Sequence, residues 1–219
     1  MQLIRKQGLV AALCGVLWMA ISPLAATAQD SFPDHPIKLI VPFPPGGGAD
    51  NLARAIAPKA AQILGQPIVI ENKPGAGGDI GAVDVAHATA DGYTLLQGTN
   101  GTMGINQALY KNTGFDPFKD FVAVSRFTEI PLMLVVNPKL PVNNVQELIA
   151  YIKAHPGKVA FGSAGNGTTS HLAGVQFKNL TGTDILHIPY KGGGAAKAGL
   201  LAGDVQMMIE LMVSVYPNA

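Results

Sequence analysis

The sequence predicts an α/β protein of two lobes with a ligand cleft between them, and three observations carry that expectation. Short apolar, β-branched runs alternate with helical patterns, the turns joining them are brief and rich in glycine, and the alternation begins afresh past residue 130. Parallel strands need a crossover between them, so this order suits a parallel sheet covered by helices. Clefts in such folds lie where the C-terminal ends of strands face one another.

Ile37–Val41 reads as the first strand. Pro42–Gly48 is a loop, and Asp50 is expected to N-cap a helix whose apolar positions Leu52, Ile56 and Ile63 share a face. Gly65 ends that helix, Pro67–Ile70 is the next strand, and Pro74–Gly78 is a second glycine loop. Ile80–Ala88 has helical character and Tyr93–Gln97 returns to strand. Phe121–Phe127 and Leu132–Val136 are β-rich runs, with Glu129–Pro131 as the crossing between lobes. Beyond it come a helix over Val145–Ala154 capped by Asn143 or Asn144, a strand at Lys158–Phe161 and a helix at Ser170–Leu180. A strand at Leu186–Pro189, a helix at Ala195–Leu201 and a strand at Val205–Glu210 complete the series. The lobes are expected at 29–130 and 131–219.

Arg5 and Lys6 precede an apolar run from Gly8 to Leu24, and Ala26-Thr27-Ala28 follows it. That is the pattern of a cleaved secretory signal peptide over residues 1–28, and it predicts export. As a membrane anchor the run is broken by Gly8, Gly15, Ser22 and Pro23. Cys14, the one cysteine, follows Leu13, a poor match to a lipoprotein cleavage site. An exported chain without further thiols has no disulfides and relies on a hydrophobic core. The net charge of +1 and the lack of a lysine block argue against nucleic acid as a partner. No second apolar run reaches membrane-spanning length, so a soluble mature protein is expected.

Four glycine-rich turns stand out: Pro44–Gly48, Pro74–Gly78, Gly162–Gly167 and Lys191–Gly194. The first, third and fourth each follow a predicted strand and precede a predicted helix. There glycine lets backbone approach a ligand, while the unpaired N–H groups and dipole of the helix favour an anion. A carboxylate suits the arrangement; tight turns with no ligand are the plainer alternative. Ser163, Thr168, Thr169 and Ser170 offer hydroxyls that bind or merely cap, and His171 sits one residue further in. Tyr190 and Lys191 could serve a second carboxylate or cover a turn, and Thr99, Asn100 and Thr102 follow the strand ending at Gln97. Glu210, at a strand end, could pair with a ligand amine or a protein cation.

Other chemistries find little support. No loop supplies the Gly-Lys-Ser/Thr of a nucleotide phosphate loop, and dinucleotide spacing forced onto Gly46 and Gly48 meets Asn51 at the third glycine position. Ser170 and His171 are adjacent on a helix and point apart, and no Gly-x-Ser-x-Gly elbow surrounds either serine. The histidines at 35, 87, 155, 171 and 187 are scattered without metal-ligand spacing. Neither catalysis nor a cofactor nor a metal is expected.

Ile40–Asp50 with Ala53-Arg54, then Glu71–Gly78, Asp91–Leu95 and Asn106–Tyr110, form an ordered series of motifs. Gly162–Leu172 and Pro189–Gly194 complete it. The series resembles the substrate-binding proteins of tripartite tricarboxylate transporters, the Bug solute receptors, over residues 32–216. The resemblance implies a type II periplasmic binding protein fold, a periplasmic location, and a monomer that closes on its ligand. It implies a small organic carboxylate or amino acid held by backbone amides and bridging water, and membrane permease subunits as partners. The loops carried over are Phe43–Asn51 and Ser163–His171, facing each other across the cleft. The expected binding set is Phe43, Pro45, Gly46, Gly47, Gly48 and Asn51 from the first loop, with Thr99 and Asn100 beside it. Ser163, Ala164, Gly165, Gly167, Thr168, Thr169 and His171 come from the third loop, and Tyr190, Lys191, Gly192 and Glu210 from the last strands. A periplasmic enzyme or a signalling receptor could use the same cleft. Family members continue past Tyr216-Pro217-Asn218-Ala219, so the expectation is a second lobe incomplete at the C-terminus, with unpaired strand edges and a tendency to aggregate.

Overall fold

Two sheets organise the chain. The computed structural model describes residues 32–126 and 128–216. The expected signal peptide with Cys14, the end of the run at Phe127, and Pro217–Ala219 lie outside the described residues. In the first sheet the order is β2 (Ile68–Asn72), β1 (Ile37–Val41), β3 (Thr94–Leu96), all parallel. In the second it is β4 (Leu132–Val136), β7 (Met207–Leu211), β5 (Ala160–Ser163), β6 (Leu186–Pro189), with β4 antiparallel to β7 and the rest parallel. The fold is α/β, as expected, and both sheets belong to one compact unit from His35 onward.

Helix α1 (Gly48–Leu64) follows β1 and ends at Gly65, which takes up the left-handed conformation. Its inward face is Ala53 and Ala57, both buried, whereas Ile63 is 74% exposed. The expected face of Leu52, Ile56 and Ile63 is therefore corrected. Small alanines let the helix axis approach the strands, and the larger residues are left beside the contact. Asp50 is also corrected: the N-cap is Gly47, and Asp50 stands in the first turn with its carboxylate folded back. Strand β2 runs two residues further than expected, to Asn72, which places that amide beside the first glycine loop.

After β2 come a 3₁₀ turn (Ala76–Gly78) and α2 (Asp79–Ala86). A π-helical turn (Gly101–Ile105) leads into a one-turn helix α3 (Asn106–Leu109). Residues 121–126, expected as strand, are irregular, and Val122 and Val124 are 91% and 79% exposed. High β-propensity yields no strand without a neighbour to complete its ladder.

Helix α4 (Val145–Ala154) starts where Asn144 accepts a hydrogen bond from the Glu147 N–H, and Glu147 in turn accepts from the Asn143 N–H. Helix α5 (Thr169–Thr181) follows β5, α6 (Gly193–Ala202) follows β6, and the short α7 (Met212–Val215) follows β7. Adjacent residues of β7 serve opposite faces of the sheet. Met207 joins Leu148, Ile152, Val159, Phe161 and Ile185, while Met208 joins Ala196, Leu200, Val205 and Val215. The second sheet is thereby sandwiched between helices. None of the described helices is long and apolar enough to cross a membrane.

Candidate functional site

The C-terminal ends of β1, β3, β5, β6 and β7 open onto one cleft of about 1960 Å³. Its first wall is the loop from Phe43 to Gly48, held from behind by a buried polar group. Asp50, 2% exposed, accepts from the Gly46 N–H and the Arg54 Nε with Oδ2, each at 2.9 Å, and from the Asn72 amide with Oδ1 at 2.9 Å. Asn72 also donates to the Phe43 carbonyl at 2.9 Å. Burial alone would raise the Asp50 carboxyl, but the hydrogen bonds from Arg54, Gly46 and Asn72 outweigh it and hold it below the ordinary carboxylate range.

Two helix N-termini at the cleft carry no side-chain cap: α1 behind Gly47 and α6 behind Gly192. They also stand next to each other. A Cβ on Gly192 would lie 2.9 Å from Cδ of Pro44, and the Gly192 φ of 103° suits glycine alone. A Cβ on Gly47 would lie 4.0 Å from the Gly194 N–H nitrogen. The first loop thus meets the fourth directly.

The third loop meets the second. A Cβ on Gly77, at φ 64°, would lie 2.7 Å from the Asn166 carbonyl oxygen, to which Tyr110 donates its hydroxyl at 3.3 Å. Asn106 lies beneath Gly167 and donates to Asp79 at 2.6 Å, whose carboxyl burial raises. The sequence reading left the second loop, Asp79 and Asn106 without a role. Only the contacts of Gly77 and Asn106 with Asn166 and Gly167, some sixty to ninety positions later, reveal one.

Within the third loop the polar groups satisfy one another. Thr168 caps α5, accepting from the His171 N–H and donating to the Gly165 carbonyl. Ser170 accepts from the Ala164 N–H at 3.0 Å, Ser163 from the Gly165 N–H at 3.2 Å, and His171 Nδ1 from the Gly167 N–H at 3.3 Å. His171 stacks on His187 with ring centroids 4.1 Å apart, and His187 stacks on Phe161. Burial, then the neighbouring His171, pushes His187 down to about 4, and burial lowers His171 as well. Ser163 Oγ lies 2.6 Å from His187 Nε2, the spacing of a nucleophile and its base. Ser163 is fully buried and away from the cleft wall, so this pair braces the loop.

Of the expected binding set, Phe43, Pro45, Gly47 and Gly48 line the cleft, as do Thr99 and Asn100. Ala164, Thr168 and Thr169 line it too, with Lys191, Gly192 and Glu210. Gly46, whose N–H is tied to Asp50, and Asn51 are exposed and do not line the cleft; Ser163, Gly165, Gly167 and His171 are drawn into the hydrogen bonds within the third loop. Tyr190 turns away, its ring against Gly199 of α6. Thr99 and Thr102 exchange hydroxyl and amide hydrogen bonds, which fixes the edge where Asn100 stands. Gln97, unassigned from sequence, is 4% exposed, donates to the Ala49 carbonyl and leaves Oε1 without a partner. Among the described residues no three His, Cys, Asp or Glu side chains gather as for a metal.

The chain is similar to known proteins in sequence and in fold. BugT of Bordetella pertussis is 41% identical over 94% of this chain and 64% of its own length. An R. palustris protein solved with adipate is 38% identical, with a TM-score of 0.83 over 85% of this chain and 62% of that one. MatC of Rhodopseudomonas palustris, solved with bound malate, is 36% identical, with a TM-score of 0.79 over 85% of this chain and 63% of that one. The chain spans a little under two thirds of the length of these relatives. A family model described as tripartite tricarboxylate transporter family receptor matches residues 52–219, and on that match the chain belongs to this receptor family.

Proposed function

We propose that the protein is a periplasmic solute receptor that captures a small organic carboxylate and presents it to the permease subunits of a tripartite tricarboxylate transporter. The observation that carries this reading is the meeting of two uncapped helix N-termini, α1 and α6, at one cleft. Their N–H groups and dipoles favour an anionic group and recognise it without performing chemistry on it. The residues lining the cleft, from Phe43 and Gly47 to Thr99, Thr169 and Lys191, form the binding wall. Ser163, Gly165, Gly167, His171 and Tyr190 act from behind it, and Gly46 acts by holding the first loop to Asp50. The first lobe ends near residue 130 and the second begins with β4, so the cleft closes between lobes. The relatives solved with adipate and malate support a carboxylate as ligand. A monomer suffices, because both walls come from one chain.

Thermal unfolding and calorimetry with acetate, succinate, malate, adipate, citrate and L-aspartate test this. One or more of these acids is expected to raise the unfolding temperature and to be recovered unchanged. No binding by any of them, or conversion of one, overturns the reading.

A further inference from the structure

Glu210, next to last in β7, lines the cleft and is 4% exposed. Its Oε1 accepts from the Leu211 N–H at 2.9 Å, while Oε2 has no hydrogen-bonding partner. That free oxygen faces the first residue of α6, since a Cβ on Gly193 would lie 3.1 Å from it. A carboxylate left in this position would be a buried charge with no side-chain cation beside it, facing only the partial positive charge of the α6 N-terminus. The elements packed against β7 carry few titratable groups. Strands β4 and β5 and helix α7 have none; α5 has His171 and Lys178, and α6 has Lys197, preceded by Lys191. Lys178 is engaged by Asp184 and Lys197 by the Ser214 carbonyl, while Lys191 sits exposed at the cleft. Burial accordingly raises the Glu210 carboxyl, opposed by the Leu211 N–H hydrogen bond and, more weakly, by the nearby Ser170 hydroxyl.

We propose that Glu210 holds a proton in the cleft and donates it, through Oε2, as a hydrogen bond to a carboxylate of the bound acid. The inference rests on the receptor reading above and refines it: the acid is bound together with a proton. An anion brought beside Oε2 stabilises the protonated form further, as two carboxyl groups sharing one site cannot both ionise cheaply. Because Oε2 faces Gly193, a carboxylate seated at the α6 amides lies beside Glu210 as well. A ligand ammonium is not required.

Difference infrared spectroscopy of the full chain against Glu210→Gln tests the proton without any ligand. A protonated-carboxyl band is expected at pH 7 in the parent and not in E210Q, moving to lower frequency when succinate, or another acid of the panel, binds. In calorimetry the parent's affinity for that acid falls by up to about tenfold per pH unit above the free Glu210 pKa. E210Q keeps a donor but cannot titrate, so its weaker binding stays flat with pH. Glu210→Ala binds more weakly still. Absence of the band at pH 7 overturns the proposal whether or not any acid binds. A band that stays in place while an acid binds overturns the donor role alone. Binding confined to L-aspartate and abolished in E210Q also overturns it, by assigning Glu210 to an ammonium. A band present in a chain that binds no acid of the panel removes the receptor reading, and the donor role with it.

Discussion

Helices α1 and α5 both start after a strand and a glycine-rich loop, yet their first turns are built for opposite ends. At α1 the cap is Gly47, with no side chain to occupy the terminal amides. At α5 the cap is Thr168, and Ser170, Ser163 and His171 take up the N–H groups of Ala164, Gly165 and Gly167 in the loop before it. A bare terminus leaves its amides for a ligand; a satisfied one fixes the loop's shape. Helix α6, behind Gly192, belongs with α1. The cleft therefore pairs an open electropositive side with a braced side, and the two differ in how they should respond to substitution.

The largest expected effect comes from closing the open side. Gly47→Asp supplies the missing cap, and its carboxylate occupies the amides proposed for the ligand. Affinity for the bound acid should fall at least about a hundredfold in calorimetry, while stability moves by only a few tenths of a kcal/mol. Unchanged affinity would show that the bare α1 terminus is not the anion site.

The braced side should respond to pH. Folding depresses the His187 pKa from its ordinary 6.5 to about 4, so the folded state favours the neutral ring. Its contribution is fully present above 6.5, is lost as pH falls, and stops changing below about 4. The slope is at most about 1.4 kcal/mol per pH unit for one proton. Urea unfolding of His187→Gln across that interval should show a shallower slope than the parent.

Asp50 makes the complementary case behind the open side. Its folded pKa is lowered, so its stabilisation is present above the unfolded carboxylate pKa and disappears as pH falls through the folded value. Asp50→Asn should cost about 1.5–3 kcal/mol at neutral pH in denaturant unfolding, through the lost charged hydrogen bonds to Arg54 and Gly46. It should also weaken acid binding by releasing the first loop. A neutral outcome would mean the loop holds its shape without this anchor.

The smallest effect is expected at the braced helix. Thr168→Ala removes the α5 cap and should cost about 1 kcal/mol of stability. Its affinity loss should fall well short of that of Gly47→Asp. Equal losses from the two would erase the distinction between open and braced termini.

Much of this architecture was legible from local pattern. Ile37–Val41, Leu132–Val136 and Leu186–Pro189 are strands at the expected residues, and Val145–Ala154 is the expected helix. Gly65 ends α1 because a left-handed residue there is a local necessity. Where the reading departed from the structure, the deciding neighbour was distant in sequence. The inward face of α1 is set by how close the sheet lets it come. Residues 121–126 had strand propensity but no strand beside them.

The candidate site divides along the same line. Strand, glycine loop and helix start are nearest-neighbour features, so the chain alone specified three helix N-termini at strand ends and an anion as their natural guest. Which amides stay open is not a local property. It depends on Asp50 meeting Asn72 from another strand and on Gly192 packing against Pro44. Burial of Glu210 and its unpartnered oxygen likewise arise only when β7 is enclosed by helices on both faces. Hydrogen-bond satisfaction and desolvation are settled by three-dimensional neighbours, and only the tertiary structure supplies those.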